Sequence, residues 1–134
     1  MLAGELEYRR ENYEIAFDHL RQAVDCYDNL NYSEPWSWMM PPRHALGALL
    51  LEQGHVDEAT KVYRADLGLD DTLVRPSQHP ANIWSLLGYA ECCERLGDEG
   101  NLESIRLELN HAKQIADASI QVSCFCRIQH DCCD

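Results

Sequence analysis

The densest set of soft-metal ligands lies at the C-terminal end of the chain: Cys124, Cys126, His130, Cys132 and Cys133. Thiolates and imidazoles at short spacing can bind Zn²⁺ or Cu(I). A structural zinc site usually draws on two C-x2-C-like pairs set well apart, whereas this run reads C-x-C and then C-C. The expected state is a reduced tail, or Phe125 and Ile128 packed as an end cap, with no metal and no cofactor. Metal binding or redox sensing through the cluster is the alternative function. Cys92 and Cys93 are neighbours on a helix and diverge by about 100°, so they cannot chelate as a pair. Burial as a small hydrophobe suits at least one of them. Six histidines (His19, His44, His55, His79, His111 and His130) are scattered without an H-E-x-x-H pattern. No G-x-S-x-G elbow, phosphate-cradling loop or dinucleotide fingerprint appears. His79-Pro80 with Asn82 reads as a helix entrance. His44, His79 and Asn82 are the polar set on which an enzyme, or the accessory domain of one, would have to draw. No residue is assigned a catalytic role.

The elements that must position these groups are helices. Ala16, Leu20, Ala23, Val24 and Tyr27 recur at helical spacing, as do Val56, Ala59, Val62 and Tyr63, and Leu102, Ile105, Leu109, Ala112 and Ala116. No stretch shows sustained strand alternation, so the chain is expected to be all-α. Turns are predicted at Glu11-Asn12, at Gly54-His55 with Gly54 as a left-handed cap, and at Gly97–Gly100 with Asn101 as the next N-cap. Longer connectors run from Asp28 to Pro35 and from Gly68 to Pro80, and Pro41 and Pro42 open the helix that continues through Leu51.

Composition narrows the partners. The 134 residues carry a formal charge of -12 and are 46% apolar. Such a chain can build a core, and it disfavours nucleic acid and anionic membrane surfaces. Glu5, Glu7, Arg9 and Arg10 follow Met1-Leu2-Ala3-Gly4 directly, without an apolar targeting segment, and seven cysteines fit a reducing, cytoplasmic setting.

A repeat underlies the helical pattern. Gly4, Gly47 and Gly88 occupy equivalent places in the first helix of three helix pairs. Ala16 and Ala59 follow their glycines by twelve residues, and Ile105 takes that role if Gly97–Gly100 is an insertion. Leu20, Tyr63 and Leu109 come next, then Ala23, Asp66 and Ala112, with Asp66 out of pattern. Trp84-Ser85-Leu86-Leu87-Gly88, and Ala45-Leu46-Gly47 followed by Gly54, Val56, Ala59 and Tyr63, resemble the tetratricopeptide repeat. The likeness covers residues 1–118 and is sharpest in the middle pair. The glycines stand 43 and 41 residues apart, against about 34 for the standard unit.

The resemblance implies a right-handed superhelix of about three antiparallel helix pairs (residues 1–30, 36–70 and 80–118), with residues 119–134 as a Cys-rich tail. Gly4, Ala16, Gly47, Ala59, Trp84 and Gly88 would then carry the packing, with Gly47 facing Ala59. It also implies a non-catalytic scaffold that binds a protein or peptide along the first helices. Tyr8 and Arg9, His44 and Glu52, and Asn82, Ser85 and Tyr89 would line that groove, beside Glu5, Ala48, Leu51 and Cys92. Chaperone-binding members clamp a terminal carboxylate with basic groups, whereas Glu5, Ala45, Ala48, Asn82 and Leu86 offer none. No polar capping helix precedes the first repeat, which suggests the C-terminal piece of a longer array. Leu2 and Leu6 would then form an exposed strip able to drive self-association.

Overall fold

The computed structural model describes residues 1–30 and 40–127. Most of the Asp28–Pro35 connector, and Ile128, His130, Cys132 and Cys133 of the tail, lie outside the described residues. The helices are α1 (Leu2–Arg9), α2 (Tyr13–Asp28), α3 (Pro42–Glu52), α4 (Val56–Leu67), α5 (Ile83–Leu96) and α6 (Glu99–Ile115). Short 3-10 turns occupy Arg75–Ser77 and Phe125–Arg127. The described residues contain no strand, and no helix among them is long and apolar enough to cross a membrane.

Each helix packs on the next in sequence, and α3 also touches α5. The periodic residues make these contacts. Ala16, Leu20, Val24 and Tyr27 are the buried face of α2, and Leu102, Ile105, Leu109 and Ala112 that of α6. Helix α3 is different, because every residue from Pro42 to Leu51 is buried. It lies against α2, α4, α5 and the 125–127 turn, and its Ala45-Leu46-Gly47-Ala48-Leu49-Leu50-Leu51 run is apolar on all sides to match.

The helix ends follow local chemistry. Pro41 and Pro42 stand at the N-cap and first turn of α3. The Asn82 side chain accepts a 2.9 Å bond from the Ser85 N–H and caps α5. Gly54 takes the expected positive φ just beyond α3. Helix α6 begins earlier than the spacing predicts. Gly97 closes α5 in the left-handed region, Asp98 caps α6, and Asn101 lies inside the first turn, its N–H bonded to Asp98. An aspartate immediately after the glycine satisfies the free amides sooner than an asparagine three residues on.

Close approach at the glycines is centred on one ring. A Cβ on Gly47 would stand 2.6 Å from Tyr63 Cζ, and one on Gly88 only 2.1 Å from the same atom. Tyr63 is thus the closest neighbour of both glycines, on α3 and α5, where the repeat pattern put Ala59 opposite Gly47. A buried ring needs more room than a methyl, so it claims the space that the missing side chains leave. A Cβ on Gly4 would stand 2.7 Å from Leu20 Cγ and 2.9 Å from the Ala16 carbonyl oxygen. The ring of Trp84 lies 4.6 Å from that of Phe125. Leu2 and Leu6 are exposed, as the first-helix strip required.

Candidate functional site

Two polar clusters stand out, and the candidate groove residues divide between them. The first is on the face shared by α1, α3 and α5, where the chain returns after α6. Arg9 on α1 donates from Nη2 to the Cys126 carbonyl at 2.9 Å. Arg127 donates from Nη1 to Glu91 Oε2 on α5 at 2.7 Å, and its Nε lies 3.6 Å from Glu52 Oε1 on α3. Glu91 is held from its other side by Arg95, whose second nitrogen caps the Leu51 carbonyl at 2.8 Å. The Tyr8 hydroxyl donates to Glu52 Oε2 at 2.7 Å and accepts from Gln53 Nε2 at 2.8 Å. Its pKa is pushed up to about 12, by burial first and by the Glu52 charge as well. Phe125 covers Trp84, and Cys124 is buried in the core while its Sγ accepts from the Cys126 N–H. The described part of the tail is therefore packed and not loose. It lies along three helices, because an aromatic ring, a thiol and a guanidinium each find a complementary place there.

Tyr63 lies beneath this segment. Its ring passes between the two glycines and its hydroxyl is buried without a hydrogen-bond partner among the described residues. Burial raises the phenol well above its ordinary pKa, and the neighbouring Ser123 hydroxyl offsets this only in part.

The second cluster is closed. Asp66 on α4 is fully buried and receives four side-chain contacts. His79 Nδ1 lies 2.7 Å from Oδ1, while Ser85 Oγ (2.6 Å), Asn82 Nδ2 (3.0 Å) and His44 Nε2 (3.2 Å) surround Oδ2. The Asp66 carbonyl also accepts from the His79 N–H at 2.6 Å. Burial pushes the carboxyl pKa up, but the bonds from His44 and His79 outweigh it and hold the group well below the usual carboxylate range. With Asp66 ionised, a neutral His79 must carry its proton on Nδ1, which leaves Nε2 to accept from the Tyr27 hydroxyl at 3.3 Å. Nearby, Arg43 forks onto both oxygens of Asp28 and joins α2 to α3.

No known protein-family model matches this chain, and neither a curated protein nor a solved structure does.

Aspartate, histidine and serine together invite a catalytic reading, but the connectivity does not support one. An activated serine hands its proton to an imidazole that a carboxylate orients. Here Ser85 donates to the carboxylate itself and is wholly buried. The cluster is a hub that ties α3, the loop before α5, and α5 to one charge on α4.

Of the candidate groove residues, Tyr8, Arg9 and Glu52 meet around the returning segment. His44, Asn82 and Ser85 turn to Asp66 instead, and Tyr89 is 2% exposed with its hydroxyl accepting from Arg64 at 3.0 Å. Asn82 and Tyr89 therefore do not present one joint surface. Helical spacing puts residues on a common side, but a buried carboxylate and a neighbouring guanidinium reach them first. Glu91 and Arg127 were missed. Nothing local marks a glutamate on an acidic chain, and Arg127 lies 36 residues from its partner. Asp66 did leave a signal: a carboxylate where the repeat calls for a small residue needs internal donors. Both Cys92 and Cys93 are buried, with the Cys92 thiol pushed up to about 11 by desolvation. Among the described residues no group of three or more His, Cys, Asp or Glu side chains is arranged to hold a metal ion.

Proposed function

We propose that the chain is a non-catalytic scaffold of the tetratricopeptide kind, a right-handed superhelix of helix pairs whose first helices bind a protein or peptide in a concave groove. One observation carries the reading: α1, α3 and α5, the first helix of each pair, already hold a stretch of polypeptide that lies outside the α-helices, Ser123–Arg127, through Arg9, Glu52, Glu91 and Trp84. A surface that can grip its own chain by a backbone carbonyl, a side-chain charge and a ring offers what peptide recognition requires. Cytoplasmic residence belongs to the same proposal, since protonated buried thiols such as Cys92 persist where they stay reduced.

The test is selection of binding peptides from a random displayed library on the full chain, followed by titration of the best one. Arg9→Ala and Trp84→Ala should each weaken that peptide several-fold while helicity is retained. A selected peptide indifferent to both changes binds elsewhere, and the groove reading then fails.

A further inference from the structure

We infer that the face formed by α1, α3 and α5 receives an arginine-bearing segment of a partner protein, and that Ser123–Arg127 is a built-in competitor which that segment displaces. This deepens the scaffold reading and rests on it. The chemistry of the partner is read from the competitor. Arg127 sits between Glu91 at 2.7 Å and Glu52 at 3.6 Å, and both of its terminal nitrogens address Glu91. Removing that guanidinium leaves Glu91 with Arg95 and Glu52 with only the neutral Tyr8 hydroxyl. An acidic chain with such a slot calls for a cation, and a forked guanidinium meets carboxylates better than an ammonium does. Two positions before the arginine the slot takes an aromatic ring against Trp84. A small residue is required just before that ring, where Cys124 is buried.

Three features indicate displacement instead of permanent closure. The ion pairs of Arg127 are partly open to water, with Glu52 and Glu91 side chains 35% and 28% exposed. The connection from α6 is an irregular stretch, residues 116–122, none of it buried, which can swing away without unravelling a helix. The fit is also incomplete. Tyr63 keeps a buried hydroxyl without a hydrogen-bond partner among the described residues. A partner that brings an acceptor to Tyr63 would improve on the resident segment. Because the competitor is tethered, it acts at high effective concentration and masks the face from weak ligands.

The experiment uses the full chain and two labelled peptides: a copy of residues 118–127 with serine at both cysteine positions, and the same peptide ending in glutamate. Binding is followed by fluorescence anisotropy, and the alkylation rate of Cys124, read by mass spectrometry, reports opening. Arg127→Glu loosens the competitor, and Arg127→Gln serves if the first variant folds poorly. The arginine peptide should bind the Arg127 variant about tenfold more tightly than the wild type, because the competent fraction rises. It should also speed Cys124 alkylation in the wild type, while the glutamate peptide does neither. Equal binding of the two peptides would overturn the arginine preference and leave the groove standing. Rapid Cys124 alkylation in the Arg127 variant with no binding of either peptide would overturn both readings. A dimer of the chain that the arginine peptide dissolves would make a second copy the occupant and overturn the partner assignment.

Discussion

Asp66 and Glu91 are both carboxylates that meet arginine, histidine or hydroxyl donors from distant parts of the chain, yet the two regions behave differently. Asp66 is sealed, and its oxygens are satisfied by His44, His79, Asn82 and Ser85. Glu91 stands at the edge of water between Arg95 and Arg127. A buried charge must be fully partnered or the fold fails, so its neighbours become fixed parts of the frame. A pair at the edge of water gains less from its attraction, because water offers each ion a substitute. The first region holds α3, α4 and α5 in register. The second can exchange one guanidinium for another.

Breaking the sealed region should have the largest effect. Asp66→Ala strands the donors of His44, His79 and Ser85 in the core and is expected to cost about 3–5 kcal/mol in chemical denaturation. A loss below that of a surface substitution would show that the hub is not structural. The glycine contacts come next. Gly88→Ala drives a methyl into the Tyr63 ring and should destabilise by about 1–3 kcal/mol or more, with Gly47→Ala similar in sign. The same change at Gly100, which has only a side-chain oxygen 4.0 Å away, should be nearly silent in the same melts.

Acid sharpens the contrast. The folded Asp66 pKa lies below its unfolded value, so the unfolded chain takes up the proton first as pH falls. The contribution of Asp66 is present above the unfolded carboxylate pKa of about 3.9 and is lost progressively as pH drops through that value toward the lower folded one. Melting temperatures between pH 6 and pH 2.5 should therefore fall more steeply for the wild type than for Asp66→Asn. Parallel slopes would place the acid sensitivity elsewhere. The smallest effect is expected in the open region. Arg127→Gln should change global stability by about 0–1 kcal/mol while raising the alkylation rate of Cys124. A large loss of stability would show that the returning segment is part of the frame and not a displaceable occupant.

How far each region was legible follows from the range of its contacts. The six helices were readable because the pattern behind Ala16, Leu20 and Val24, or Leu102, Ile105 and Leu109, repeats within a turn or two. The Asp66 hub joins residues 13, 16, 19 and 22 positions apart across two connections, and no spacing rule covers such a set. The contacts of the tail were hidden for a related reason. Its cysteines drew attention as metal ligands, whereas in the structure Cys124 serves as a small buried hydrophobe and Arg127 makes the charged contact. Of the residues assigned to the groove, Tyr8, Arg9 and Glu52 lie around the segment, and Tyr89 is drawn into the core.

By itself the sequence determined the all-helical state, the approximate bounds of the six helices, the caps at Asn82 and Pro41-Pro42, and the need for covering on every side of α3. Each of these depends on backbone hydrogen bonds and apolar periodicity that act over a few residues. Only the tertiary structure decided that Tyr63 would fill the space above both Gly47 and Gly88, that Asp66 would gather His44, His79, Asn82 and Ser85, and that Arg127 would settle between Glu52 and Glu91. Those outcomes depend on which side chain reaches a shared space first, by size, charge and desolvation, once the helices have brought distant positions together.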